Sequence, residues 1–331
     1  MMMSALSPLM PGSGFRAVYE EAGVYDEVLL RQYFAGREDT DLVAEWLLDR
    51  FGPPRSADVT GPGGLRVVEF GCGTGRVTEC TAPYAATLLG SDYSSVMTSA
   101  FADRFPSAET LCADTREAVS VLLSGGYAGG FDLVSAFWSL SYPLGACFET
   151  LDAAGIHPVA DLEAARAAVS ALVTGLVDLL APDGHLLALL FDSDSPEQRL
   201  VTWAWEKVAP TPFGDRAYTR TVLREELLAA EIAGRGALTW IRLPGVAVAP
   251  DRSAAVRWFT AAHFKDLPQL TTDREIMEAV TDFVGRWTGA NGTVNLPAGV
   301  HLIDFHRDAV GAAHLPASHQ TTAHLSTGPH R

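Results

Sequence analysis

The stretch LRVVEFGCGTGRVT, residues 65–78, decides the fold of this 331-residue chain. Leu65, Val67, Val68 and Phe70 form a short, β-branched apolar run after the turn-prone Gly61, Pro62, Gly63 and Gly64, which is the pattern of a buried strand. Gly71, Gly73 and Gly75 then alternate through a loop, so the backbone can turn tightly and a ligand can approach it with no Cβ in the way. The residue after Gly75 is Arg76, so the dinucleotide fingerprint GxGxxG is not met. Residues 76–84 continue as a helical pattern. A loop of this kind, between a strand and a helix, has room for a nucleoside.

Outward from this stretch the acidic residues follow a rule. Glu69 precedes the first glycine by two positions, where its carboxylate can accept from a ligand or from loop amides. Leu88 and Leu89 lead through Gly90 and Ser91 to Asp92, the form of a second strand ending in an acceptor for ribose hydroxyls. Leu111, Cys112 and Ala113 lead in the same way to Asp114 and the helical start at Thr115. Three successive strand ends that each offer a carboxylate suit a neutral adenosine and repel a pyrophosphate.

These residues resemble the class I S-adenosylmethionine-dependent methyltransferases. EFGCGTG at 69–75 looks like their first motif, Asp92 in GSDYS like the acid of the second strand, Asp114 in CADTRE like the adenine-side acid, and FDLVSAFW at 131–138 like the fourth strand. The resemblance implies an α/β fold: a doubly wound, Rossmann-like sheet of seven strands, mostly parallel with the last strand antiparallel, under helical N- and C-terminal caps. It also implies a cofactor set of Glu69, Gly71, Cys72, Gly73, Gly75, Asp92, Tyr93, Asp114, Thr115, Phe137 and Trp138. Tyr25 joins that set as an N-terminal tyrosine closing over the methionine carboxylate, though Tyr19, Tyr25 and Tyr33 also fit core aromatics at helical spacing. S-adenosylmethionine is the expected cofactor, S-adenosylhomocysteine the product, and no metal is expected.

Composition narrows the acceptor. Lys and Arg total 24 against 40 Asp and Glu, a net charge of −16, and no basic run tracks a phosphate backbone, which disfavours nucleic acid. The N-terminal MMMSALSPLMPGSG lacks a basic, apolar leader, and no uncharged apolar run approaches the roughly 20 residues of a membrane span. Cys72, Cys80, Cys112 and Cys147 have neither zinc nor disulfide spacing and read as thiols of a reducing cytoplasm. His314, His319, His324 and His330 in the tail have no compact metal spacing. The expected acceptor is thus a small molecule, in secondary metabolism of the antibiotic-producing kind; a protein acceptor, or cofactor binding without methyl transfer as a scaffold or in another rearrangement, stays open as the alternative. No membrane partner is expected, and a homodimer stays open as the assembly.

Along the chain the predicted order is a disordered start at 1–14, a helical lid at 15–60, the cofactor-binding core at 61–250, a helical cap at 251–290, the last strand at 291–311 and a disordered tail at 312–331. In the lid, Tyr33 and Phe34 continue a helical pattern, and Thr40 or Asp41 caps the next helix. The runs 237–248 and 293–306 read as the sixth and seventh strands, broken at Pro244 and Pro297. Methyl transfer in line from a sulfonium needs alignment and a deprotonated nucleophile, with no covalent enzyme intermediate. Four side chains are candidates for a general base: Tyr142 after the fourth strand, His157 beside Pro158, Asp192 at the end of the fifth strand, and His263 in the cap. The cap's Arg257, Trp258, Phe259 and Trp287 read either as core or as the wall of an acceptor pocket.

Overall fold

A computed structural model describes residues 28–54, 64–152, 155–208, 217–264 and 268–308. The predicted roles of Tyr25 and of the segments 1–14 and 312–331 fall outside the described residues. The elements run β1 (Arg31–Phe34), β2 (Arg37–Glu38), α1 (Asp39–Phe51), β3 (Leu65–Phe70), α2 (Thr78–Thr81), β4 (Ala85–Asp92), α3 (Ser95–Arg104), β5 (Glu109–Cys112) and α4 (Thr115–Ser124). They continue with β6 (Phe131–Phe137), α5 (Ser141–Phe148), the hairpin β7 (Glu149–Asp152) and β8 (Gly155–Pro158), α6 (Leu162–Leu179), β9 (Leu180–Phe191), α7 (Pro196–Val208) and α8 (Tyr218–Ile232). Last come β10 (Ala237–Ala249), α9 (Arg252–Arg257), a π-helix (Trp258–His263), α10 (Pro268–Thr272), α11 (Arg274–Arg286) and β11 (Val294–His306).

The main sheet has the order β2-β1-β10-β11-β9-β6-β3-β4-β5, and β7 and β8 form a sheet of their own. From β5 to β9 every neighbouring pair is parallel, and β11 lies antiparallel between β9 and β10. This is the doubly wound, Rossmann-like sheet that the sequence led us to expect, with two more strands at one edge. Successive residues point to opposite faces. Val67, Leu133, Leu187, Leu189 and Leu302 bury one face against α1 and the 252–286 helices. Val68, Phe70, Val134, Leu186 and Leu190 bury the other against α6 and α8. The chain leaves β3 on one side toward β4 and β5 and returns on the other to β6 and β9, so the crevice between β3 and β6 is the switch point where such sheets take ligands.

Four local expectations are corrected. Residues 31–34 are a strand: Gln32 and Phe34 are buried while Arg31 is exposed, a period of two, and Phe34 packs where a Cβ on Gly245 would stand 2.3 Å from its ring. The cap of α1 is Glu38, which forms a reciprocal capping box with Asp41. The helix after the glycine loop begins at Thr78 and not at Arg76, one α turn to Thr81 that continues as a 3-10 turn over Ala82–Tyr84. Finally, β10 and β11 run unbroken through their prolines, because each proline has one strand neighbour: pairing with β1 starts at Gly245, just after Pro244, and pairing with β9 stops at Val300, short of Pro297. A proline there leaves no ladder donor missing on the unpaired side.

That arrangement also shapes the site. Residues 294–299 of β11 and 244–249 of β10 pair with each other beyond the end of β9. They project roughly 20 Å past it at about 3.3 Å per residue. This shelf, with β1 along its rim, walls one side of the carboxyl edge.

Candidate cofactor and acceptor site

The glycine turn is fixed from both neighbouring strands. Gly71 and Cys72 donate from their amides to the Ser91 carbonyl of β4 at 2.7 and 3.0 Å. Gly71, at φ 67°, also abuts Ser139 after β6, and a Cβ there would lie 2.3 Å from the Ser139 Cβ. Gly73 differs: at φ 53° it needs glycine for its backbone alone, and a Cβ would meet nothing within 4 Å among the described residues. Among those residues, space thus lies open in front of the middle of the turn.

Asp92 closes the turn from β4. Its Oδ2 accepts the Gly73 amide at 3.0 Å and its Oδ1 the Ser94 amide at 2.9 Å. Burial pushes its carboxyl above the ordinary range, and the amides of Ser94, Gly73 and Tyr93 only partly offset this. Three amides on two oxygens leave one lone pair of the carboxylate for a hydroxyl donor. One strand further out, Asp114 caps α4 by accepting the amides of Arg116 and Glu117 at 2.9 and 3.1 Å, directly ahead of Thr115.

Glu69 turns inward. It is 2% exposed and its Oε2 accepts from Thr78 Oγ1 at 3.0 Å. Burial raises its carboxyl to about 8, against the Thr78 hydroxyl and the Arg76 guanidinium. Burial likewise pushes the Cys72 thiol well above the usual thiol range, with Glu69 and Asp92 adding to the effect.

Across the switch point Phe137 is buried and Trp138 takes φ 62°, left-handed for a side chain that rarely goes there, at roughly 1–2 kcal/mol. Its amide donates to the Leu189 carbonyl at 2.8 Å. Its indole packs with Phe34 at 5.9 Å and Phe191 at 4.5 Å between ring centres.

The four predicted base candidates are not brought together as one cluster. His157 lies exposed on β8, and Tyr142 is 40% exposed at the start of α5. Asp192 is buried on the face opposite Phe191. Arg242 donates to its Oδ2 from Nε and Nη2 at 2.8 and 2.7 Å, and Arg220 and His301 stand at 3.5 and 3.4 Å. Despite burial, His301 and Arg242 hold its carboxyl well below the usual range, which makes it a poor proton acceptor.

His263 closes the π-helix, a rare form common at functional sites. Its ring centre is 6.4 Å from that of Phe191, and its Nε2 lies 3.0 Å from Oε1 of Glu197, which is 1% exposed and also accepts from the Trp258 indole. The cap aromatics Trp258 and Phe259 are core, while Arg257 is exposed. Sequence reasoning missed Glu197, Arg220, Arg242 and Asp39. It also missed Gln32, a buried side chain on the shelf strand β1 whose Oε1 has no partner among the described residues.

No protein-family model and no curated protein matches the sequence. Among solved structures the chain is similar to the (4+2)-cyclase SpnF at 16% identity and TM-score 0.47, over 91% of this chain and 98% of that one. It is also similar to the N-methyltransferase NodS from Bradyrhizobium japonicum, at 16% identity and TM-score 0.38 over 81% and 94% of the two chains. A third is the plantazolicin methyltransferase BamL, solved with SAH, at 14% identity and TM-score 0.39 over 81% and 84%. The chain's own strand order carries more than these distant likenesses do. With its parallel strands, the antiparallel insertion of β11 and the glycine turn at the switch point, the chain has the architecture of the class I S-adenosylmethionine-dependent methyltransferases.

Proposed function

We propose that this protein is an S-adenosylmethionine-dependent methyltransferase of the cytoplasm that acts on a small-molecule acceptor in secondary metabolism. One observation carries the reading: Asp92, a buried carboxylate whose donors are backbone amides, sits beneath the open space at Gly73. Such a carboxylate has a lone pair free for a ribose hydroxyl and carries a charge complementary to a sulfonium. Asp92 would hold the ribose, Asp114 and Tyr93 the adenine side, and the turn from Gly71 to Gly75 the amino-acid end. When bound, S-adenosylmethionine supplies an electrophilic methyl group.

The chain's own part is to orient the acceptor, exclude water and take a proton where the acceptor is a hydroxyl. His263 is our candidate for that step. With Glu197 accepting at Nε2, the imidazole carries its proton there and leaves Nδ1 as the base. Net charge and the walled carboxyl edge support a small acceptor over a polyanion.

Calorimetry with S-adenosylmethionine and S-adenosylhomocysteine tests the first half, and micromolar binding is expected. Incubation with cell extract metabolites, read by mass, tests the second. A gain of one methylene unit supports transfer, whereas binding with a changed acceptor of unchanged mass points to a rearrangement catalyst of the same fold. In an active preparation, His263→Gln should lower kcat by about 10²-fold or more, and Glu197→Gln should do so more weakly. An unchanged kcat in both variants removes His263 from the chemistry.

A further inference from the structure

Three segments meet on the carboxylate of Asp39, the first residue of α1. Arg76, next to the last glycine of the turn, donates from Nη1 to Oδ1 at 2.9 Å and from Nη2 to Oδ2 at 2.5 Å. From the other side of the switch point the Trp138 indole Nε1 donates to Oδ2 at 2.9 Å. The Thr40 amide donates to Oδ1 at 2.9 Å. Asp39 is 4% exposed. Burial alone would push its carboxyl up, yet Arg76 and Trp138 hold it below the ordinary range. A bidentate fork fixes the plane of a carboxylate as well as its position, so the indole that shares this carboxylate is aimed by the same bond.

We propose that Asp39 is a positioning residue for both halves of the pocket: through Arg76 it fixes the exit of the glycine turn, and through Nε1 it seats Trp138 between Phe34 and Phe191. The proposal rests on the reading of the turn as a cofactor site. Asp39 acts through its neighbours, so loosening it loosens the cofactor side and the acceptor side together. An isolated surface ion pair would affect neither.

The test uses the full chain, S-adenosylhomocysteine calorimetry, and near-ultraviolet circular dichroism of the ligand-free protein. Asp39→Asn and Arg76→Lys should each weaken the ligand tenfold or more, and the double variant should be no more than twofold weaker than Asp39→Asn alone. The dichroism change in Asp39→Asn should match that of Trp138→Phe, because both release or remove the same oriented indole. A lower melting temperature with wild-type affinity, or a Trp138 band that survives in Asp39→Asn, overturns the proposal. If Asp39→Asn does not fold, wild-type affinity in Arg76→Lys overturns it instead. Wild-type protein that takes up no ligand defeats the cofactor reading itself, a result distinct from variants that bind as tightly as wild type.

Discussion

Asp92 and Asp192 are both buried carboxylates at the carboxyl ends of strands, 8% and 3% exposed, and they are held in opposite ways. Asp92 is held by backbone amides, and burial lifts its pKa. Asp192 is held by His301 and Arg242, which depress its pKa in spite of burial. The first has its charge uncompensated and faces the open turn, while the second is already neutralised within the protein. Burial and position at a strand tip are therefore poor guides to function by themselves. What distinguishes a binding carboxylate from a structural one is the charge of its donors.

The largest expected effect follows from exchanging the two losses. Asp92→Asn should weaken S-adenosylhomocysteine by about 30-fold, as one charge-assisted hydrogen bond is lost, with little change in melting temperature. Asp192→Asn should do the reverse: roughly 2 kcal/mol of stability lost, because the Arg242 fork loses its anion and Arg220 keeps only Asp194, and unchanged affinity in the folded protein. Calorimetry beside urea unfolding checks both, and equal effects in the two variants would erase the contrast.

A smaller effect concerns pH. Glu69, raised to about 8, binds a proton in the folded chain that the unfolded chain has already released, so its contribution is complete below the ordinary glutamate range and is lost as pH rises through 8. Asp192 is depressed, so its contribution holds above the ordinary aspartate range and fades as pH falls. Melting temperature should accordingly decline between about pH 6 and pH 9 in the wild type. It should decline less in Glu69→Gln, by differential scanning over that range. The smallest effect is at Gln32, whose unpartnered buried oxygen opposes folding. Gln32→Met should raise stability by about 1 kcal/mol in urea unfolding. If binding of the natural acceptor weakens at the same time, that oxygen is kept for a hydrogen bond to it.

The glycine turn and its neighbouring acids were legible in the sequence because their signals are local. The glycines lie within five positions, Glu69 lies inside the first apolar run, and Asp92 and Asp114 each follow one of their own. What the sequence hid lies far apart along the chain: Asp39 is 37 residues from Arg76 and 99 from Trp138, and Glu197 is 66 from His263. No periodicity joins such pairs, since the sheet order brings them together. The strand at 31–34 was missed for a related reason. Four residues are too few for an alternation to outweigh the helical spacing of the aromatics around them, and only pairing with β10 decides the outcome.

The shelf formed by the far ends of β10 and β11 has a consequence for diversification. Its ladder is closed on itself and on β1, and the backbone bond it takes from the parallel strands, the Asp192 amide to the Gly299 carbonyl at 2.9 Å, comes from the end of β9 and not from the strand that carries the glycine turn. Substitutions on this overhang or in the helices inserted between its two strands can therefore retailor the chamber for a bulkier or slimmer guest while the nucleoside cradle keeps its register. On the proposed function, one scaffold of this build is equipped to serve many recipients from a single donor.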